Sequence, residues 1–189
     1  MEEMSGRLFL GVPINDEVRK KLKQNTWQSL SRYKKDRMTP AHNWHFTMAY
    51  FGQIPLSKLE SFTKSLLSEN WGESFKLGIK GYGAFPQMSE GRVLWLGVSR
   101  GEVEISSLAK RLRQLADDHE IEYDQKPFIP HLTVCRMKVP RNLTRLAEDY
   151  KVKQELPFIV DKFILYESIG GAQKYKEICE IPIGVSKDQ

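Results

Sequence analysis

The sequence predicts a fold that mixes helices and strands and consists of two lobes of similar plan. Apolar segments of strand length alternate with segments of helical periodicity, and the order strand–helix–strand–helix–strand occurs twice. Matching segments of the two runs are separated by the same distance in sequence, 86 positions. With 189 residues the chain can form one domain or two small lobes that share a core. No linker in it is long enough to separate independent domains.

Seven apolar segments have the length and composition of strands. The first ends at Pro13, which cannot donate a ladder hydrogen bond. The stretch 83–91 contains two glycines and Pro86, which predicts a loop between the third strand and the fourth. The predicted strands are residues 7–13, 44–52, 74–81, 92–98, a part of 127–136, 158–166 and about 174–182.

Four segments are typical of helices. Asn15 supplies the N-terminal chemistry of the first helix, Ser57 and Glu60 fit a capping box at the start of the second, and a short fourth helix is expected around 143–150. The rough apolar face of the first helix is expected to contain Val18, Leu22, Trp27 and Leu30. The third helix shows the clearest periodicity, with spacings of three and four between Ile105, Leu108, Leu112, Leu115 and His119.

Two pairs of matching segments establish the offset. Residues 8–12 read LFLGV and residues 94–98 read LWLGV, while His45-Phe46-Thr47 and His131-Leu132-Thr133 show the same separation of 86. Apolar strands resemble one another, so the recurrence of His-x-Thr at the same offset is the stronger indication of a duplication. A pseudo-twofold arrangement of two lobes, with a site between them, follows from it. The duplication divides the chain into a first repeat at about 7–82 and a second repeat at about 92–167.

The two His-x-Thr segments predict a site that combines imidazoles with hydroxyls. Residues i and i+2 of a strand face the same side, so His45 and Thr47 point away from Phe46. His131 and Thr133 share a side in the same way. A twofold axis between the lobes would bring the two pairs together across a cleft, with the intervening apolar side chains in the core.

Two opposed imidazoles suit an in-line displacement at phosphorus. Their unperturbed pKa of about 6.5 makes both protonation states accessible near neutrality. One imidazole can take the proton of an attacking water while the other protonates the departing oxygen. The threonine hydroxyls can hydrogen-bond the non-bridging phosphate oxygens, and Arg136 can offer a planar cation from the end of its strand. This chemistry needs neither a metal nor another cofactor.

The remaining histidines and cysteines are expected to have structural roles. His42 is expected in an exposed loop, and His119 in the core or at its flank. Cys135 is expected to pack as a small hydrophobe. The chain's two cysteines cannot form a disulfide scaffold, and no Cys/His spacing typical of a zinc site occurs.

The net charge of +5 permits an anionic partner without demanding one. Three basic clusters are expected to be solvated faces, with guidance of a nucleic-acid strand as the alternative. Phe9 and Trp95 occupy equivalent repeat positions and are expected to pack in the core rather than to stack on a base. The clusters consist of Arg19, Lys20, Lys21 and Lys23, of Arg32, Lys34, Lys35 and Arg37, and of Lys110, Arg111 and Arg113.

Charged residues interrupt every apolar run among the first 30, so no secretory signal is expected. No stretch approaches the roughly 20 apolar residues that span a bilayer. Together with the low cysteine count, this predicts a cytoplasmic protein whose thiols are reduced and which has no role in a membrane. No obligate protein partner is inferred.

At the His-x-Thr segments the chain resembles the 2H phosphoesterase superfamily, which is named for two His-x-Thr/Ser motifs. Within it the chain is most similar to the bacterial RNA 2′,3′-cyclic phosphodiesterases, also called 2′-5′ RNA ligase-like proteins. Met48 and Cys135 replace a usual leucine and a usual small residue, and both stay apolar. The resemblance covers nearly the whole chain, through residues 7–10, 44–52, 92–97, 130–136, 165–168 and Tyr175.

The resemblance implies a bilobal α+β fold with two largely antiparallel sheets around a central cleft. It implies metal-independent opening of a 2′,3′-cyclic phosphate, on RNA or on a nucleotide, to a 2′-phosphomonoester. His45 matches the proton donor and His131 the proton acceptor, while Thr47, Thr133 and Arg136 match positions that contact phosphate or nucleotide. The family's name also implies a reverse 2′-5′ RNA ligation.

Two other functions stay open. The same pair of histidines could cleave 2′-5′ linkages or small cyclic phosphates. Alternatively, the chain could be a nucleotide- or RNA-binding module without turnover. The presence of both histidines and both threonines disfavours this last function, because a module that only binds needs no acid–base pair.

Overall fold

The computed structural model describes residues 3–170 and 175–184, which form nine strands and four α-helices joined by short 3₁₀ turns. The helices α1–α4 span Asp16–Leu30, Leu56–Ser68, Glu102–Asp118 and Tyr150–Lys153. The strands β1–β9 span Met4–Pro13, Arg37–Met38, His45–Pro55, Phe75–Phe85, Gly91–Arg100, Leu132–Arg141, Leu156–Val160, Lys162–Ser168 and Tyr175–Pro182.

All nine strands belong to one antiparallel sheet. Eight of them lie side by side in the order β7-β4-β5-β6-β3-β1-β8-β9, and the short β2 pairs with β6. The sheet has two halves of four strands, which meet at a single pair of residues, Phe46 on β3 and Leu132 on β6. The prediction of an α+β fold with antiparallel strands is confirmed. One detail differs, because the two expected sheets are continuous through this central pair.

The central pair lies on the twofold relation between the repeats, since Phe46 and Leu132 are 86 positions apart. The third strand of each repeat, however, lies in the half-sheet of the other repeat. β4 pairs with β5, and β8 pairs with β1. Each half-sheet therefore contains strands from both repeats, so a lobe of the fold does not correspond to a repeat of the sequence.

Helix α1 begins where the sequence predicts. The side chain of Asn15 accepts a hydrogen bond of 2.9 Å from the backbone N–H of Val18. Val18 and Leu30 are buried, but Trp27 is 62% exposed, so its predicted place on the apolar face is wrong. Nine residues separate Trp27 from Val18, and at 3.6 residues per turn this rotation of about 180° puts the indole on the opposite side of the helix.

The predicted capping box of the second helix is wrong. Helix α2 begins at Leu56, with Pro55 as its N-cap residue, so Ser57 already lies inside the first turn. Proline offers no side-chain oxygen to the first N–H groups. The apolar periodicity of both following helices is nevertheless correct, and their buried faces contain Phe62 and Leu66 in α2 and Ile105, Leu108, Ala109, Leu112 and Ala116 in α3.

The loop predicted over 83–91 is shorter in the structure. Strand β4 continues to Phe85, and only residues 86–90 connect it to β5. Gly83 lies opposite Trp95 of β5, and a Cβ at this position would overlap the indole ring. This glycine therefore permits close packing of a ring on the strand rather than a turn.

The C-terminal elements differ in detail from the sequence prediction. The segment 143–150 forms a 3₁₀ turn at Thr144–Glu148, and α4 begins after it. The strand predicted over 158–166 is two strands, β7 and β8, separated by Asp161. The last predicted strand is present as β9, and residue 174, with which it was expected to begin, lies outside the described residues.

Candidate active site

The two His-x-Thr segments lie where the halves of the sheet meet. His45 is the first residue of β3, and His131 directly precedes β6. Next to them, Phe46 and Leu132 pair with each other and are fully buried. Because side chains alternate along a strand, the histidines are directed away from this core, as the spacing predicts.

A cavity of about 160 Å³ opens on the side of the sheet that faces away from these core residues. Four of the five residues proposed from the sequence line it, namely His45, Thr47, Thr133 and Arg136. Since roughly 10–15 Å³ of such space already holds one water, the cavity has room for a phosphate group. The fifth, His131, is not among the lining residues, but it lies close enough for its protonated form to lower the pKa of His45.

Both imidazoles are held by the same backbone contact. Nδ1 of His45 lies 2.7 Å from the carbonyl oxygen of Asn43, and Nδ1 of His131 lies 2.7 Å from that of Ile129. A carbonyl oxygen only accepts, so each Nδ1 carries a proton and each neutral ring has its lone pair on Nε2. Nε2 of His45 lies 3.1 Å from Oγ1 of Thr47, whose hydroxyl can donate to it. Asn43 and Ile129 are also 86 positions apart, so the twofold relation includes these hydrogen bonds.

The surroundings keep both imidazoles neutral. Burial lowers the pKa of His45 to about 4, an effect that the Asn43 carbonyl opposes and that the protonated form of His131 and the charge of Arg136 reinforce. Burial also lowers the pKa of His131, again against its carbonyl partner and with the help of Arg136. In the absence of an anion both rings are therefore bases at neutral pH. A negative charge bound in the cleft would favour their protonated forms.

Aromatic rings at equivalent positions of the repeats pack against the two imidazoles. Phe9 stacks on His45 with 4.9 Å between ring centroids, and Trp95 lies 6.1 Å from His131. The sequence predicts core positions for both rings. Phe9 is indeed buried, but in a small cluster beside the cleft, and Trp95 is only half-buried. These rings therefore also fix the orientation of the histidines, a role that sequence reasoning missed.

Several other residues that line the cavity were not identified from the sequence. Tyr50 is the repeat equivalent of Arg136, so the offset of 86 itself contained this signal. Asn43 acts through its carbonyl oxygen, which any residue type would provide, so its role leaves no signal in the sequence. Ser168 and Tyr175 reach the cavity from β8 and β9, where the sequence predicts a strand or shows the family resemblance but indicates no role in the site.

The other histidines and the buried cysteine lie outside the cleft. His42 is exposed, and half-buried His119 has its Nε2 at 3.0 Å from Oγ of Ser65. Cys135 is fully buried, and burial raises the pKa of its thiol to about 12. Within residues 3–170 and 175–184, no three His, Cys, Asp or Glu side chains gather as metal ligands. No helix in these ranges combines the length and the apolarity that crossing a bilayer requires.

Comparison with known proteins identifies relatives over most of the chain. Residues 19–172, which include both His-x-Thr segments, match the family model of the 2′-5′ RNA ligase superfamily. The RNA 2′,3′-cyclic phosphodiesterase of Thermotoga maritima is 28% identical over 164 residues, with 86% of each chain covered. The enzyme of the same name from Methanothermobacter thermautotrophicus is 34% identical over 151 residues, which cover 77% of this chain and 78% of the relative.

Solved structures show the same fold. Escherichia coli LigT in its apo form superposes with a TM-score of 0.75 at 20% identity, covering 97% of this chain and 100% of LigT. The protein TT0787 of Thermus thermophilus gives a TM-score of 0.69 at 21% identity, covering 94% and 97%. From the extent of the family match and the identity to its relatives, the chain belongs to the 2′-5′ RNA ligase superfamily.

Proposed function

We propose that this protein hydrolyses 2′,3′-cyclic phosphates, at RNA ends or on nucleotides, and leaves 2′-phosphomonoesters. The observation that carries the proposal is the twofold-related pair of imidazoles, each with its lone pair on Nε2, beside a cavity of phosphate size. Hydroxyls from both repeats line the same cavity. The names of the relatives from T. maritima and M. thermautotrophicus support the substrate class.

In the proposed step, Nε2 of His131 takes a proton from a water molecule as the water oxygen attacks phosphorus. The bond between phosphorus and the 3′ oxygen breaks, and protonated His45 gives its proton to that oxygen. The hydroxyls of Thr47 and Thr133 and the guanidinium of Arg136 hold the non-bridging oxygens, where negative charge increases in the transition state. The products are a 3′-hydroxyl and a 2′-phosphate.

The proton on His45 comes with the substrate. In the empty cleft burial keeps the pKa of His45 near 4, so the ring is neutral at pH 7. A cyclic phosphate carries one negative charge, and its approach favours the imidazolium. His131 must stay neutral to act as the base. The assignment of His131 as proton acceptor and of His45 as proton donor follows the family resemblance. The protonated donor is therefore a property of the complex rather than of the free protein.

The two histidines supply and remove every proton in this step, so the proposal includes no metal and no cofactor. Ligation would be the same step with an RNA 5′-hydroxyl in the place of water, so that the attack on phosphorus and the release of the 3′ oxygen leave a 2′-5′ linkage instead of a 2′-phosphomonoester. The proposal places the reaction in the cytoplasm, because Cys135 and Cys179 are free thiols, as a reducing compartment keeps them. It requires no protein partner.

The decisive experiment is the hydrolysis of 2′,3′-cyclic AMP, with the products resolved by chromatography into 2′-AMP and 3′-AMP. We expect 2′-AMP, formed equally well with a chelator present. His45→Ala and His131→Ala should each lower kcat/KM by at least about 100-fold, the smaller end of the usual contribution of one general acid or base. His119→Ala, which removes an imidazole that contacts Ser65 outside both the cleft and the groove beside it, serves as the matched control.

Three results would contradict the proposal. Unchanged turnover in both histidine variants would show that the cleft is not the active site. Formation of 3′-AMP would show that the other phosphorus–oxygen bond breaks. Turnover of a 2′-5′-linked dinucleotide without turnover of the cyclic phosphate would favour a phosphodiesterase for 2′-5′ linkages instead.

A further inference from the structure

A second, wider groove adjoins the cleft. Its volume of about 820 Å³ compares with about 160 Å³ for the cleft. One wall is a face of α1, and the other is the segment from Met38 to Trp44 that leads into β3. Thr39 lines both the groove and the cleft, so the two spaces meet at this residue. The groove therefore begins next to the catalytic histidines.

The α1 wall combines cations with one aromatic ring. Lys20, Lys23 and Trp27 follow one another at helical spacings of three and four and line the groove together. Lys34 also lines it and lies over the indole, with its Nζ 5.8 Å from the ring centroid. Across the part of the chain that the structure describes, none of these three lysines forms an ion pair with a carboxylate.

The groove contains one acidic residue, Asp16, and it is already paired. Its carboxylate accepts a hydrogen bond from the guanidinium of Arg19, which also donates to the carbonyl oxygen of Ile14 at 2.8 Å. The remaining charge on the groove is therefore positive. The large exposed ring of Trp27 and these unpaired lysines complement an anion that carries flat apolar groups.

The junction between groove and cleft holds a polar atom without a partner. Thr39 is 7% exposed, and its backbone is fully engaged, with N donating to Val134 and O accepting from the Trp44 indole. Its hydroxyl Oγ1 has no hydrogen-bond partner among the residues that the structure describes. A buried hydroxyl normally finds a partner, and this one lines the passage from the lysines to the histidines.

From these observations we propose that the groove binds the RNA strand that continues from the cyclic-phosphate end, with a base on Trp27 and backbone phosphates on Lys20, Lys23 and Lys34. The proposal rests on the proposed function. A 2′,3′-cyclic phosphate occupies both oxygens of the terminal ribose, so the strand leaves the cleft only through the 5′ oxygen. The groove is the adjoining space, and stacking on an aromatic ring with lysines along the backbone is how proteins bind single strands without reading their sequence. The preferred substrate is therefore an oligonucleotide.

The first test compares two substrates, 2′,3′-cyclic AMP and a pentaadenylate that ends in a 2′,3′-cyclic phosphate. Trp27→Ala should lower the ratio of kcat/KM for the pentamer to that for the mononucleotide by about 5- to 150-fold, the range of base stacking on an aromatic ring. Trp27→Phe should keep most of the preference, because the phenyl ring still stacks. A ratio in Trp27→Ala that is unchanged from the wild type would overturn the proposal.

The second test does not depend on turnover. A fluorescein-labelled pentaadenylate with a free 3′-hydroxyl is titrated with protein at several salt concentrations, and binding is followed by anisotropy. Replacing Lys23 and Lys34 together by alanine should reduce the slope of log K against log salt by about 1.4, since each contact to a single-strand phosphate contributes about 0.7. The control, Lys21→Ala with Lys110→Ala, removes the same charge from exposed positions outside the groove.

The two tests separate the two proposals. If the wild type hydrolyses neither cyclic phosphate but the groove variants still weaken binding of the labelled RNA, the proposed function fails and the groove remains an RNA site. If both cyclic phosphates are hydrolysed but the control pair and the groove pair have equal salt slopes, the groove proposal fails and the proposed function stands.

Discussion

The burial of His45 makes a quantitative prediction about stability and pH. In the folded protein the pKa of this imidazole is about 4, against 6.5 for an unperturbed histidine. Between pH 6.5 and pH 4 the imidazole is therefore mostly protonated in the unfolded chain and mostly neutral in the folded chain. Because the unfolded state binds the additional proton, the free energy of unfolding falls as the pH falls towards 4. From these two pKa values the loss between pH 7 and pH 5 is about 2 kcal/mol, because each pH unit in this window contributes about 1.4 kcal/mol.

The assay is urea denaturation of the wild type and of His45→Gln at pH 7 and at pH 5. Other groups also titrate in this range, but they are common to both proteins, so the difference between the two pH dependences isolates His45. We expect the wild type to lose about 2 kcal/mol more than the variant on going from pH 7 to pH 5. Equal losses in the two proteins would refute the reasoning that burial depresses the pKa of this ring.

Three further predictions concern the cleft and the centre of the sheet. Titration with 2′-AMP, followed by nitrogen-15 NMR of the imidazoles, should raise the pKa of His45 above its value in the empty protein, and an unchanged value would contradict the proposed protonation on binding. Gly83→Ala forces the Trp95 ring away from β4, so thermal or urea unfolding should show a loss of about 1–3 kcal/mol. Adding Trp95→Phe to Gly83→Ala should restore part of this loss, and no recovery would mean that the ring is not the obstacle. Phe46→Ala empties the central pair and should cost about 3–5 kcal/mol by the same measurement, and a loss below 1 kcal/mol would show that the halves do not depend on it.

The centre of the site could be predicted from the sequence because two regularities determine it, the alternation of side chains along a strand and the constant offset between the repeats. Alternation along a strand places His45 with Thr47 on one side and Phe46 on the other. The offset of 86 then relates this segment to His131 and Thr133, and the pairing of Phe46 with Leu132 follows the same offset.

The surroundings of the site could not be predicted in the same way. The hydrogen bonds that set the tautomers come from the carbonyl oxygens of Asn43 and Ile129, and a backbone atom has no residue type to recognise. Gly83 fits a turn by composition, and only the position of the Trp95 ring on the neighbouring strand reveals its actual role.

A duplicated sequence also does not reveal which strand pairs with the third strand of each repeat, β4 or β8. Both repeats present equivalent edges, so the similarity between them is the same whether β4 joins its own repeat or the other one. The size and apolarity of Trp27 favour the apolar face of α1, but the 3.6-residue period puts this residue opposite Val18, on the exposed side.

The exchange of third strands also constrains the history of the molecule. A half-length chain with one repeat could not complete either half-sheet, because the strand beside its first strand comes from the other repeat. Two copies could do so by swapping third strands around a twofold axis, which would place two identical histidines at the cleft. In a single chain with two repeats, each histidine can be substituted without changing the other. A symmetric pair of bases could in this way diverge into one acid and one base.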